Sequence, residues 1–69
     1  MPARTRERIL DKALAAFGLR GYDLTSLDDL ASDLGITKQA ILYHFSSKEH
    51  LLTSTIELGV HELGSALSG

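Results

Sequence analysis

Apolar residues recur along this chain at the spacing of helices. Ile9, Leu10, Ala13, Leu14 and Phe17 fall three and four positions apart, with Arg6, Glu7, Asp11 and Lys12 on the other side. That period predicts an amphipathic helix from Thr5 to about Leu19, stopped where Gly18 and Gly21 bracket Arg20. A second stripe follows: Leu27, Leu30, Ala31 and Leu34 stand at i, i+3, i+4 and i+7. Thr25 or Ser26 can cap it, with Asp28 or Asp29 three positions on in the manner of a capping box. Gly35 can take the positive φ of a tight helix exit, Ile36 offers an apolar plug, and Thr37 can cap what comes next. With only three residues between them, the second and third helices must cross at a steep angle.

The third helix is predicted from Lys38 to about His44. Its inward residues are read as Ile41 and either Leu42 or Phe45, which leaves Lys38, Gln39, Ala40, Tyr43 and His44 largely outside. Ser46 followed by Glu49 resembles another capping box and predicts a fourth helix from Ser47. In that helix Leu52, Ile56, Val60, Leu63 and Leu67 form a stripe longer than a three-helix core can cover, so another surface should bury its far end. Gly59 and Gly64 interrupt the helix at a cost of about 1 kcal/mol each relative to alanine, and its end is expected to fray. The one proline is at position 2 and β-branched residues are scattered singly, so no strand is expected.

Sixty-nine residues make one small domain at most. No cysteine is present, which excludes disulfides and thiolate metal sites and fits a reducing cytoplasm, the expected location. No apolar run approaches the roughly 20 residues of a membrane span. The net charge of −2 is unevenly spread. Residues 1–20 hold Arg4, Arg6, Arg8, Lys12 and Arg20 against Glu7 and Asp11, a net of +3. Residues 21–35 hold Asp23, Asp28, Asp29 and Asp33, a net of −4. Lys38 and Lys48 against Glu49, Glu57 and Glu62 leave −1 for the remainder. The basic end can lie along phosphates, although the plainer reading is a solvated helix face.

The chemistry sits between residues 25 and 45, where helix, glycine turn and helix have helix-turn-helix proportions. A helix that approaches base edges needs small or polar residues on its exposed first turn. Lys38 can donate to guanine O6 or N7, Gln39 can pair with adenine N6 and N7, and Ala40 can touch a thymine methyl. Tyr43 and His44, a turn later, are placed to reach phosphate oxygens, and Lys48 adds a cation in the first turn of the fourth helix. The backbone amides near Ser26, Thr37 and Ser47 are further anion anchors.

The string GITKQAILYHFSSKEHLL from Gly35 to Leu52 resembles the signature of the TetR family, and RERILDKALAAFGLRGYDLTSLDDLA before it resembles that family's first two helices. Tyr43, His44 and Phe45 closing the third helix, then Ser47, Lys48 and Glu49 and paired leucines, are specific in combination. The resemblance implies an all-α fold: a three-helix, homeodomain-like helix-turn-helix bundle with the start of a fourth, longer helix. It implies a DNA-binding domain over residues 2–62, with 63–69 as the end of helix four or a frayed tail. It further implies base contacts from Lys38, Gln39 and Ala40, and phosphate contacts from Ser26, Thr37, Tyr43, His44 and Lys48. Such a regulator, usually a repressor, binds a palindromic operator as a homodimer and releases it when a small molecule enters a C-terminal domain. That C-terminal dimerisation and ligand domain is expected to lie outside these residues. Two positions depart from the pattern: Leu42 stands where the family usually has a tyrosine, and Asp28 is acidic where several relatives are basic, which suits capping of helix two better than phosphate contact.

Phe17, Phe45 and the leucines of helix two are read as core. His50 and His61 are read as plain surface residues, and no spacing supports a metal or cofactor site. No set of nucleophile, base and orienting group supports an enzyme. A rival reading is a helical protein-interaction module that uses Ile56, Val60 and Leu63 of helix four.

Overall fold

A computed structural model describes the backbone of residues 2–68 and the side chains of residues 5–60. The helices are α1 (Pro2–Arg20), α2 (Leu27–Leu34), α3 (Lys38–His44) and α4 (Lys48–Ser68), and no strand occurs among the described residues. The fold is all-α. α1 begins at Pro2, earlier than the predicted Thr5, and a proline suits a first helical turn because its fixed φ is already helical and its missing N–H has no partner there to lose.

One apolar cluster joins all four helices: Ile9, Leu10, Ala13 and Ala16 from α1, Leu30 and Ala31 from α2, Ile41 of α3 with Phe45 just beyond it, and Leu51 from α4. Phe17, Leu27, Leu34, Ile36 and Leu58 pack partly buried against it. One expectation is corrected here. Leu14 was assigned to the inward face of α1 but is 39% exposed, and Ala16 is buried in its stead. At 100° per residue Ala16 lies nearer than Leu14 to the direction shared by Ile9 and Ala13, and the two alanines let the neighbouring helices come close.

On α4 the apolar stripe exceeds what the core covers, as expected. The inward face of α4 carries Leu51, Ser54 and Thr55, with Leu58 half-buried, whereas Ile56 and Val60 of the expected stripe are 55% and 67% exposed. Polar residues can face the core because their hydroxyls are already satisfied: Ser54 Oγ donates to His50 O at 2.9 Å and Thr55 Oγ1 to Leu52 O at 2.7 Å. The side chains of Leu63 and Leu67 lie outside the described residues.

The turns fix how α2 and α3 are presented. Ser26, one of the two residues considered, caps α2: its Oγ accepts from Asp29 N at 3.0 Å. Thr25 is buried and serves α1, donating from Oγ1 to Gly21 O at 2.9 Å and Ala16 O at 3.3 Å. At the other end of α2, Gly35 takes φ +69°, its N–H donates to Ser32 O, and Ile36 N donates to Ala31 O at 3.0 Å. These are the paired bonds of a Schellman motif, with Ile36 as the apolar plug that was expected. Arg8 Nη2 adds a bond to Leu34 O at 3.3 Å, one more carbonyl that α2 leaves open. Because a left-handed backbone costs an L-residue with a Cβ about 1–2 kcal/mol, Gly35→Ala should lower the melting temperature by several degrees. Thermal unfolding followed by circular dichroism checks this; an unchanged melting temperature would mean the turn relaxes.

Candidate nucleic-acid interface

α3 is held from both ends and from behind. Thr37 Oγ1 accepts from Ala40 N at 3.1 Å, and Phe45 N donates to Ile41 O at 2.9 Å. Ile41 and Phe45, four residues apart on one face, are fully buried, while Leu42 is half-buried. The opposite face therefore points away from the core. It carries Gln39 and, one turn on, Tyr43, which is 86% exposed. Ala40 and His44 lie half-buried along one flank, and the His44 ring meets Tyr43 edge-on with centroids 5.1 Å apart.

Lys38 occupies the other flank, turned towards α2. Its Nζ lies 4.0 Å from Asp28 Oδ2. Asp28 was expected to cap α2, but the amide bonded to the Ser26 hydroxyl is that of Asp29. The two capping hydroxyls, Ser26 Oγ and Thr37 Oγ1, accept from amides in these caps, and each keeps an O–H with which to donate to an anion.

The α3–α4 turn differs by one residue from the predicted capping box. Ser47, not Ser46, is the cap: its Oγ accepts from His50 N at 3.0 Å and its carbonyl accepts from Leu51 N at 3.0 Å. The third residue of α4, His50, reaches back to accept from Ser46 N through Nδ1 at 3.1 Å. His50 is thus a capping residue, a role that a plain surface reading missed; the local pattern pairs a serine with the residue three positions on, and histidine is not the glutamate that the rule seeks. His50 also sets its ring edge-on to Phe45, with centroids 5.7 Å apart, and the Arg6 guanidinium covers the same phenyl ring 5.0 Å from its centre.

Lys48 does not stand free at the start of α4. Its ammonium rests 4.1 Å from the centre of the Tyr22 ring, which in turn lies 5.5 Å from that of Phe17. Tyr22, in the α1–α2 connection, was not singled out from the sequence, because nothing in its neighbourhood signals a contact with a residue 26 positions away. The side chains along the basic N-terminal end are also engaged. Lys12 lies 4.0 Å from Asp33, and Arg20 bridges Asp29 and Asp33 at 3.9 Å each. With Arg8 on Leu34 O and Arg6 over Phe45, the described part of that end is tied to the fold, not laid out as a basic strip. The Arg4 and His61 side chains lie outside the described residues.

A family model for bacterial regulatory proteins of the tetR family matches residues 9–55, which takes in the buried face of α1, all of α2 and α3, and the start of α4. The chain belongs to the tetR family. It is 35% identical over 52 residues to the biofilm operon icaADBC HTH-type negative transcriptional regulator IcaR of Staphylococcus epidermidis, and 36% identical over 52 residues to that of Staphylococcus aureus strain Newman. Each alignment covers 75% of this chain and 28% of the relative, so the matched region spans little more than a quarter of the length of these curated relatives. No solved structure matches the chain. The family is one of bacterial regulatory proteins, and these relatives are named HTH-type negative transcriptional regulators. Among the described residues no helix is long and apolar enough to cross a membrane, and no three His, Cys, Asp or Glu side chains converge as a metal site.

Proposed function

We propose that this chain binds double-stranded DNA sequence-specifically with α3 in the major groove, and that it does so to repress transcription. The observation that carries this reading is the outward face of α3, where Gln39 and Tyr43 project while Ile41 and Phe45 anchor the helix from behind. A short helix pinned on one side and polar on the other can enter a groove about 12 Å wide without giving up its core contacts. Lys38, Gln39 and Ala40 read base edges. Ser26, Thr37, Tyr43, His44 and Lys48 hold phosphates, the two capping hydroxyls through their remaining O–H. The relatives are named negative transcriptional regulators, which supports repression over activation.

The operator is a palindrome occupied by a homodimer, with half-sites about one helical turn, roughly 34 Å, apart or at multiples of it. Selection of bound duplexes from a random library at low salt, with analytical ultracentrifugation of the complex, tests both points. Recovery of a symmetric motif by a dimer is the expected result for a paired regulator. Recovery of a single half-site by a monomer would keep base reading and discard pairing by these residues, and affinity would then fall near the non-specific range of about 10⁻⁴ to 10⁻⁶ M. No enrichment at all would refute sequence-specific reading.

A second reading draws on the exposure of Ile56 and Val60 on α4: a helical module that binds a protein partner through that stripe. Substitutions separate the two, since DNA binding depends on Lys38, Gln39 and Lys48 and partner binding on Ile56 and Val60.

A further inference from the structure

Three carboxylates of α2 take part in ion pairs, and they do not all face the same way. Asp29 and Asp33 point back to Arg20 and Lys12 on α1 and so join the two helices behind the groove-facing surface. Asp28 alone turns forward, to Lys38 at the start of α3, and both side chains remain largely open to solvent. An exposed pair of this kind adds little to stability. Its position matters more, because it sets a fixed negative charge beside the lysine that the reading above assigns to a base.

We propose that Asp28 is a positioning residue that sharpens sequence discrimination by offsetting the charge of Lys38 for any use except base contact. The argument rests on the assignment of α3 to the major groove. A complex on the wrong sequence is held by attraction between cations and phosphates. There Lys38 contributes less than a lysine with no acidic neighbour would, since a carboxylate lies 4.0 Å away. On the right sequence the ammonium's donors can meet guanine O6 and N7 while the carboxylate stays beside it, since the two are near neighbours and not hydrogen-bonded. The carboxylate also fixes the direction of a long, flexible side chain before DNA arrives. Asp28 thus withholds Lys38 from phosphates and spares it for the base.

Asp28→Asn keeps the shape and removes the charge. The test measures affinity across a salt series for the duplex selected above and for a scrambled duplex of the same composition. With Asp28→Asn, affinity for the scrambled duplex should rise about two- to fivefold, in keeping with one exposed charge interaction. The slope of log affinity against log salt should steepen by about 0.9, one additional phosphate contact. Affinity for the selected duplex should change by less than the scrambled, so that discrimination narrows. Lys38→Ala in the Asp28→Asn background should abolish the gain, and Asp28→Glu should restore discrimination.

Because the readout is a ratio of affinities on one protein preparation, partial destabilisation of α2 does not imitate it. Unchanged scrambled-duplex affinity and slope in Asp28→Asn would overturn the proposal while leaving base reading intact. So would a gain that persists without Lys38. Failure of the unsubstituted chain to distinguish the two duplexes would instead overturn the assignment of α3, and this inference with it.

Discussion

Phe45→Ala should unfold the domain or leave it barely folded at room temperature. The Phe45 side chain is fully buried and is among the largest in the core. Truncating a buried phenylalanine costs about 3–5 kcal/mol, from lost transfer energy and from the cavity left behind. Domains as a class hold only about 5–15 kcal/mol, and one of this size lies near the lower end. The position also has no substitute. Phe45 is the C-cap of α3, it packs with α1 and α4 residues of the core cluster, and Arg6 and His50 both close over its ring. Losing it therefore frees the back of the recognition helix and the turn that launches α4 together. Urea unfolding followed by circular dichroism measures the loss, with Tyr43→Ala, two residues away on the open face, as the control. Surface changes usually stay within about 0.5 kcal/mol, so the control should unfold near the unsubstituted chain. Equal losses for the two variants would mean that α3 packs by a different face.

That contrast between Phe45 and Tyr43 was legible in the sequence, and so was most of what lies between Ser26 and Phe45. The reason is that the signals there are local. A serine or threonine cap, a glycine exit and a four-residue spacing act within one turn of chain, and the structure follows them closely for α2 and α3, with Ser26 the cap of the two considered. Failures came where the deciding partner lies far along the chain. Leu14 was placed on the apolar face of α1 although helical phase sets Ala16 nearer its centre, and the approach of the other helices buries the alanine. On α4 apolar spacing did not single out the face that packs, since the stripe with Ile56 and Val60 was read as exceeding what the core could cover. The geometry preferred Ser54 and Thr55, whose hydroxyls bond to their own helix and no longer count as polar. Charge misled in the same way. The basic α1 and acidic α2 read as two separate regions, yet Arg20 and Lys12 spend their charge on Asp29 and Asp33. The partners of the two candidate DNA-contacting lysines, Asp28 and Tyr22, were equally invisible as partners, because each pair joins different elements.

Those two partners give Lys38 and Lys48 different roles, and substituting the lysines should produce different losses. Lys38 lies 4.0 Å from a carboxylate at the edge of the helix assigned to the groove, so its charge is partly offset before DNA binds. Lys38→Ala should cost about 1–3 kcal/mol on the selected operator and relax preference at one base pair, because a base contact contributes only when the correct base is present. Its effect on scrambled DNA should be small. Lys48 rests on an aromatic ring, which orients the ammonium without neutralising it. Its full charge remains available to a phosphate, and every duplex offers phosphates. Lys48→Ala should therefore weaken all sequences alike and flatten the salt dependence by about 0.9 in the slope of log affinity against log salt. Titrations of each variant against the operator, its single-base variants and scrambled DNA at several salt concentrations separate the two patterns. Should both variants lose the same factor on every duplex, Lys38 would be a phosphate contact like Lys48, and sequence reading would fall to Gln39 and Ala40 alone.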